Sequence, residues 1–366
     1  MTSHPILLMG GSGAIGRQTA RSLRTAHPDV PLLIGGRDLR KSQEAAAEIG
    51  HAEGIVLDTA ADDLGLGTRP VSAVAVFYMD HALAGLRFAQ TRRLPHISIS
   101  SGVFEIAPEI ATYMHKPDAA PVVLGYEWLV GATTVPTLEL AKAFGRVHEI
   151  VIGALVDEQD TGGPTVATDF EHLSRLMPAA LTRRDGSYIW RAGEDARARF
   201  FAADGTEIEA SGFSSIDVVG LATATGALNI QFNLATGVSS TRRRGGPMST
   251  EIVIELAGED HAGQPLRTRH AVVHSEGAAP LTGLGVGMIL ERLTGLDLAP
   301  PTPPGLYFPY QILDPIGYLA PEAERGSDRH VGGAMIGGSV KRGSAFSRYC
   351  LHGSRGVLWV LKMRGL

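Results

Sequence analysis

Short apolar runs alternate with amphipathic stretches along the N-terminal part of the chain. The runs at residues 5–9 (Pro-Ile-Leu-Leu-Met), 31–34, 54–57, 71–77, 96–99 and 121–124 are short and almost wholly apolar. That is the pattern of strands buried on both faces of a parallel sheet. Residues 17–26, 39–49, 82–91 and 108–115 between them read as helices; at the first of these, Ile15, Thr19 and Leu23 share one face and Arg17, Arg21 and Arg24 the other. Strand and helix in alternation predict a parallel sheet with right-handed crossovers. Near His148 the pattern changes. Residues 149–156, 200–210, 215–221, 229–235, 250–256 and 266–273 read as further strands, with hairpin loops at 203–206 (Ala-Asp-Gly-Thr) and 259–263 (Glu-Asp-His-Ala-Gly). Residues 279–293 read as a helix, followed by a stiff Pro-Pro-Thr-Pro-Pro connector at 300–304.

The expected organisation is a first domain over residues 1–148, a second over 149–276, a return segment over 277–325 packing on the first domain, and a tail over 326–366. The tail is basic, contains frequent Gly and Ser, and is expected to pack poorly. Within it, residues 356–361 (Gly-Val-Leu-Trp-Val-Leu) could add an edge strand or mediate aggregation.

The turn after the first apolar run carries Gly11-Ser12-Gly13-Ala14-Ile15-Gly16, a Gly-x-Gly-x-x-Gly motif that opens the first helix. In a chain with 45 glycines the motif alone is weak. Directly after a buried strand and at the start of a helix, it is the phosphate turn of a dinucleotide site. Gly11 permits the tight turn, Gly13 lets backbone amides approach the pyrophosphate, and Gly16 lets the helix pack close to the strand. Gly10, Ser12, Ala14 and Ile15 complete the expected cradle, with the positive end of the helix dipole facing the phosphates. The fold class this predicts is α/β: a Rossmann-type doubly wound parallel sheet with a second, α+β, largely antiparallel-sheet domain.

The second apolar run ends Gly35-Gly36-Arg37-Asp38. An NAD site carries a carboxylate at this tip to accept from the ribose 2′-OH, whereas an arginine accommodates a 2′-phosphate. Arg37, with Arg40 and Lys41 behind it, makes NADP(H) the expected cofactor ahead of NAD(H). Asp38 reads as the N-cap of the next helix. Asp58, at the end of the third run, either contacts the adenine or caps a helix.

Composition narrows the class. The 366 residues, 44% of them apolar, can fill two cores, and a net charge of −5 gives no footprint for nucleic acid. The Arg242-Arg243-Arg244 run is too short to change that. No stretch approaches the roughly 20 apolar residues that span a membrane, and no signal peptide is read at the N-terminus. The single cysteine, Cys350, cannot form an internal disulfide, which agrees with a cytoplasmic protein. No metal site is expected; a small-molecule substrate and a homodimer are.

Ligands of an open α/β sheet lie beyond the carboxyl ends of its strands, at the switch point. That edge carries Tyr78, Met79, Asp80 and His81 after the fourth strand, with Phe77 at its end. Ser100 and Ser101 follow the fifth strand, and Tyr126, Glu127 and Trp128 the sixth. Hydride chemistry needs a proton donor, and Tyr78, His81 and Glu127 are the candidates. Tyr78 could instead shield the nicotinamide, His81 could cap the following helix, and Glu127 could pair with an arginine. Tyr78 would need its pKa lowered from about 10 by the cofactor's charge, and Trp128 should raise that of Glu127. Phe77 and Ser100 would touch the cofactor. An acidic substrate would call on Arg175, Arg183, Arg184 or Arg242 to Arg244. None of the eight tyrosines has lysine four residues on, which removes the short-chain dehydrogenase mechanism.

On these residues the first domain resembles the saccharopine dehydrogenase (saccharopine reductase) family. The resemblance lies in the GGSGAIG turn, in Gly36-Arg37, and in Phe77-Tyr78-Met79-Asp80-His81-Ala82, which is similar to a Pro-Tyr-x-x-His-Ala pattern of the family's reductase. It covers about residues 5–145, and more loosely Gly305-Leu-Tyr-Phe-Pro309. Where the family has an Asp-Pro-Gly turn, this chain has Trp128-Leu129-Val130-Gly131. The resemblance implies an NADP(H) oxidoreductase acting on a C=N or C–N bond, without implying saccharopine itself. A C=O or C=C reductase, or a non-catalytic NADP(H)-binding redox sensor, would use the same scaffold.

Overall fold

The computed structural model describes residues 4–100, 103, 106–161, 179–319, 347–349 and 358–363. Six strands and four helices follow from the start, alternating except between β3 and β4: β1 (Ile6–Met9), α1 (Ala14–Ala26), β2 (Leu32–Gly36), α2 (Leu39–Ile49), β3 (Ala52–Val56), β4 (Ala73–Val76), α3 (Ala84–Arg92), β5 (His96–Ser98), α4 (Ile106–Met114) and β6 (Pro121–Leu124). All their pairings are parallel, in the order β3-β2-β1-β4-β5-β6. The chain leaves β3 at one edge and re-enters beside β1, so the order reverses between β1 and β4. Every residue of β1, β4, β5 and β6 is buried, as continuous apolar strands under helices on both faces must be. On α1 the buried positions Gly16, Thr19, Ala20 and Leu23 fall at helical spacing.

After α5 (Thr134–Ala141) the long strand β7 (Phe144–Asp157) opens a second sheet, earlier than the expected strand start at 149. It is flanked by β12 (Asn229–Gly237), parallel, and by β13 (Thr250–Asp260), antiparallel. The hairpins β8–β9 (Ala180–Arg184, Ser187–Arg191) and β10–β11 (Arg197–Phe201, Glu207–Gly212) extend the β12 side. On the other side β13 pairs with β14 (Pro265–His274). The hairpin loops expected at 203–206 and 259–263 join β10 to β11 and β13 to β14.

Two sequence expectations are corrected. Residues 215–221 were expected to be a strand; instead α6 (Asp217–Thr225) is there, ended by Gly226 at φ 70°. The run is rich in β-branched residues, yet Val218, Leu221 and Ala222 bury at helical spacing, and that packing overrides propensity. The β8–β9 hairpin was not expected at all. Its signal is Asp185-Gly186, both at positive φ (49° and 81°), the pair a two-residue hairpin turn requires.

A short helix α7 (Ser240–Arg243) precedes β13. After β14 the helix α8 (Ala278–Thr294) lies against α1, and β15 (Gly305–Tyr307) adds a seventh parallel strand beside β6. Two short helices, α9 (Pro309–Ile312) and α10 (Pro315–Leu319), follow. Of the tail, the backbone of β17 (Leu358–Met363) pairs with β14, and β16 (Ser347–Tyr349) pairs with β17; the rest of residues 326–366 lies outside the described residues. One buried cluster runs from Ile6 and Ile34 through Val130 and Leu281 to Ile152 and Phe232, so the two sheets share a core.

The approach of α8 to α1 depends on small residues. A Cβ on Gly283 would lie 2.6 Å from Gln18 Cβ and 2.8 Å from the Thr19 amide nitrogen. Gly283→Ala gains helix propensity of about 1 kcal/mol, but backbone atoms cannot yield to the added methyl. The expected net loss in urea-unfolding free energy is about 1–3 kcal/mol. Gly237→Ala, whose Cβ would meet only Leu155 Cδ1 at 3.9 Å, serves as the control and should change little.

Candidate functional site

The glycine turn is built from its own backbone. The Gly10 N–H bonds to Gly35 O at 2.8 Å, the Gly11 N–H to Leu8 O at 3.0 Å and the Gly13 N–H to Gly10 O at 3.0 Å. Gly10 sits at φ +82°. A Cβ on Gly11 would approach Leu8 to 2.9 Å and one on Gly16 would approach Gly11 Cα to 2.6 Å, so the fold itself demands both glycines. Gly13 differs: its Cβ would meet only Gly10 O, at 3.2 Å, and would otherwise stand in open space. Gly13 is also the N-cap of α1, with no side-chain cap and no acidic residue in the first turn. The first helical bond runs from the Arg17 N–H to Gly13 O, leaving the amides of Ala14, Ile15 and Gly16 without an intrahelical acceptor. An uncapped, acid-free helix start with space in front of it fits a pyrophosphate.

At the tip of β2, Arg37 is exposed and forms no ion pair among the described residues. Asp38 accepts from the Lys41 amide at 3.2 Å as the N-cap of α2, so its carboxylate is committed. Arg40 pairs with Glu44 at 2.6 Å. Asp58 is exposed and accepts from the Ala60 amide at 3.0 Å, bracing a turn rather than a helix.

Beyond β4, Phe77 is buried and its amide bonds to Met9 O at 3.0 Å, extending the β1–β4 seam. The half-buried Tyr78 ring packs against Gly10, where an added Cβ would meet it at 3.0 Å. Burial first and Asp80 second push the Tyr78 hydroxyl up to about 12, while Arg37 opposes them. The protein thus moves this group opposite to the lowering that an easily ionised donor requires. His81 is exposed; the helix-capping role considered for it belongs to Asp80, whose Oδ2 accepts from the Gly85 amide at 2.9 Å. Ser100 is half-buried beyond β5.

Glu127 is placed apart from these. It lies in the interior, its Oε2 accepting from Thr134 Oγ1 at 2.7 Å and its Oε1 buried without a hydrogen bond. Burial, and then the neighbouring Asp217, hold its carboxyl well above the usual carboxylate range. Asp217, at the start of α6, accepts from the Trp128 amide at 2.8 Å and from the hydroxyls of Thr133 and Ser215. Sequence reasoning missed Asp217 because its segment read as a strand. Among the described residues no arginine pairs with Glu127, and no hydrogen bond joins it to Tyr78. The backbone after it is strained at Leu129 and Val130, which lie at positive φ, 50° and 57°, and Gly131 follows at 96°, where glycine is at ease. A β-branched residue there is uncommon. Trp128 packs on Phe213 and Phe232 with ring centroids 5.3 and 5.7 Å away.

The cations proposed for an acidic substrate are mostly taken. Arg184 pairs with Asp195, Arg242 with Asp157 and Glu158, and Arg243 with Asp204. Arg183 stacks over Tyr188, and Arg175 lies outside the described residues. Among the described residues no helix is long and apolar enough to cross a membrane, and no His, Cys, Asp and Glu side chains group as metal ligands.

No protein-family model and no curated protein matches the chain. Solved structures do. Apo saccharopine dehydrogenase (L-Glu forming) from Saccharomyces cerevisiae aligns with TM-score 0.57 at 16% identity, over 86% of this chain and 96% of that one. The homospermidine synthase hss from Legionella pneumophila, in complex with NAD, aligns with TM-score 0.55 at 9% identity, over 87% of this chain and 89% of that one. The chain therefore has the saccharopine dehydrogenase-like fold, α/β with a parallel Rossmann-type sheet and a second, mostly antiparallel one.

Burial holds the Glu127 carboxyl well above its ordinary value of 4.5, so stability from this group is fully present below 4.5 and is lost as pH rises through its folded value. Glu127→Gln removes that loss. Urea unfolding at about pH 5 and about pH 8 should show the variant gaining on the wild type as pH rises. A difference independent of pH would mean that Glu127 ionises as it does in water.

Proposed function

We propose that this protein is an NADP(H)-dependent oxidoreductase that transfers a hydride to or from a carbon–nitrogen centre, C=N or C–N, of a small molecule held between the two domains. The observation that carries the reading is the cradle at Gly13, where the fold leaves space and unsatisfied amides at the carboxyl edge of β1. The fold shared with a saccharopine dehydrogenase and with a homospermidine synthase bound to NAD supports it. The likeness at Phe77 to Ala82 supports the carbon–nitrogen centre. The bound dinucleotide would supply or accept the hydride; the chain holds, orients and manages protons. In this reading residues 10–16 hold the pyrophosphate, Phe77 and Ser100 meet the second nucleotide, and Tyr78 and His81 flank the reacting end. Glu127, enclosed in the interior, acts on the geometry of that end rather than as a donor. NADP(H) is favoured because Arg37 is exposed without an ion pair while Asp38 is engaged as a cap. A homodimer in the cytoplasm belongs to the same reading, and sedimentation at micromolar protein checks the assembly.

Two substitutions test the cofactor. Arg37→Ala should weaken NADPH by about 1.5–3 kcal/mol, the worth of a charge-assisted hydrogen bond, and leave NADH nearly unchanged in fluorescence titrations. Equal losses would assign Arg37 to the fold. Gly13→Val should abolish binding of both while circular dichroism stays native; normal binding would remove the phosphate-turn assignment. Turnover is sought by following NADPH oxidation with a panel of 2-oxo acids plus ammonium or primary amines. Tight NADPH binding with no turnover on any carbonyl, imine or enone would favour the redox-sensor alternative.

A further inference from the structure

We propose that Tyr126 is the residue that exchanges a proton with the substrate, through a relay of Ser98 and Glu109 built into the carboxyl ends of β5 and β6. The inference rests on the oxidoreductase reading and names the residue that reading lacks.

The relay follows from how two strands end. Ser98 closes β5, opposite Leu124 on β6. The next amide, Gly125 N–H, bonds to Ser98 O at 2.8 Å, and a Cβ on Gly125 would come within 2.6 Å of that oxygen. Only glycine allows β6 to lean this far over β5, and the lean carries Tyr126 above Ser98. The Tyr126 hydroxyl then lies 2.5 Å from Ser98 Oγ. Ser98 in turn donates to Glu109 of α4, at 3.3 Å to Oε2 and 3.5 Å to Oε1. In the state that takes up the proton, Glu109 is a carboxylate and only accepts, so the Ser98 proton points to Glu109 and the Ser98 oxygen accepts from Tyr126. Ser98 and Glu109 are 6% and 4% exposed, while Tyr126 is half-buried. A line that runs from a half-buried phenol to an enclosed carboxylate has the direction a proton relay needs.

The place fits the chemistry. The second nucleotide of a doubly wound sheet lies over the ends of the strands after the switch point, here β4, β5 and β6. Of the other candidates on this edge, Tyr78 has no hydrogen-bond partner among the described residues, and Glu127 is enclosed.

In the oxidative direction the substrate carbon gives up its hydrogen with both bonding electrons to the oxidised dinucleotide. The proton on the substrate nitrogen passes to Tyr126 Oη, the Tyr126 proton to Ser98 Oγ, and the Ser98 proton to the Glu109 carboxylate. A C=N bond forms, Glu109 ends as a carboxylic acid, and Tyr126 and Ser98 are unchanged in charge. Reduction runs the same transfers backwards. Tyr126 is thus catalytic, and Ser98 and Glu109 act through it.

The test uses full-length protein labelled with 13C at tyrosine Cζ, the Tyr126 signal being the one lost in Tyr126→Phe. Added NADPH should shift that signal with the same saturation as cofactor fluorescence. Its pH titration midpoint should move in both Ser98→Ala and Glu109→Gln, while all three variants bind NADPH within about twofold of the wild type. With whichever panel member the wild type reduces, Tyr126→Phe should lose about 10²–10⁴-fold in kcat, and Glu109→Gln should displace the pH profile of kcat. A Tyr126 signal indifferent to bound NADPH, a midpoint unmoved by Glu109→Gln, or near-wild-type turnover of Tyr126→Phe overturns the relay and leaves the oxidoreductase reading standing. A wild-type protein that binds neither NADPH nor NADH overturns both.

Discussion

Two carboxyl groups with no cation paired to them among the described residues, Glu127 and Asp217, sit at the junction of the two sheets. Taking an ionised carboxylate out of water costs several kcal/mol unless its lone pairs are filled. Asp217 meets that condition with the Trp128 amide and the hydroxyls of Thr133 and Ser215. Glu127, with one bond from Thr134 and a bare Oε1, escapes the cost by keeping its proton. Burial raises both carboxyls, Glu127 further because Asp217 lies beside it, while the donors on Asp217 oppose its rise; two like charges in one buried pocket disfavour each other. The arrangement also clamps the left-handed backbone of residues 129–131. Strain of roughly 1–3 kcal/mol per such residue survives only where the surroundings over-determine it. Trp128, seated on Phe213 and Phe232, supplies the remaining restraint from the second sheet.

That clamp sets where the sixth strand ends, and the site depends on the end. The sheet divides its work at the switch between β1 and β4. On the β1–β2 side the interactions offered are backbone amides, a helix dipole and one exposed arginine, all suited to phosphate. On the β4–β6 side they are hydroxyls and carboxyls, suited to moving protons. Glycine serves each half for a different reason. Gly11, Gly16 and Gly125 are small because the protein's own backbone is close, whereas Gly13 is small with open space in front of it.

The first half was readable in the sequence. Unbroken apolar runs admit only buried strands, and the Gly11, Gly13 and Gly16 spacing lies within one strand-turn-helix connection. Asp38 as a cap and Arg37 at the tip of β2 were legible because both depend on neighbours within a few residues. The second sheet was less so. Its strands alternate weakly, and α6 hid behind β-branched residues whose helical burial depends on partners in another part of the chain. The pair Glu127–Asp217 spans 90 positions, and nothing local to Glu127 marks it as enclosed rather than reachable. Tyr126, Ser98 and Glu109 met the same obstacle: each sits in an ordinary local context, and only the lean of β6 over β5 makes them a line.

The two assignments at the end of β6 are tied by geometry. Successive residues leaving a strand point to opposite sides. Tyr126 turns toward Ser98 and the ligand edge, so Glu127 must turn inward, toward Thr134 and α6. One dipeptide therefore carries both the reachable phenol and the enclosed acid. A shift of the 127–131 turn moves the phenol by as much as it moves the clamp. An interior carboxyl thus sits next in sequence to the phenol, at the turn on which Tyr126 is mounted. The domain interface and the proton path then share one backbone segment.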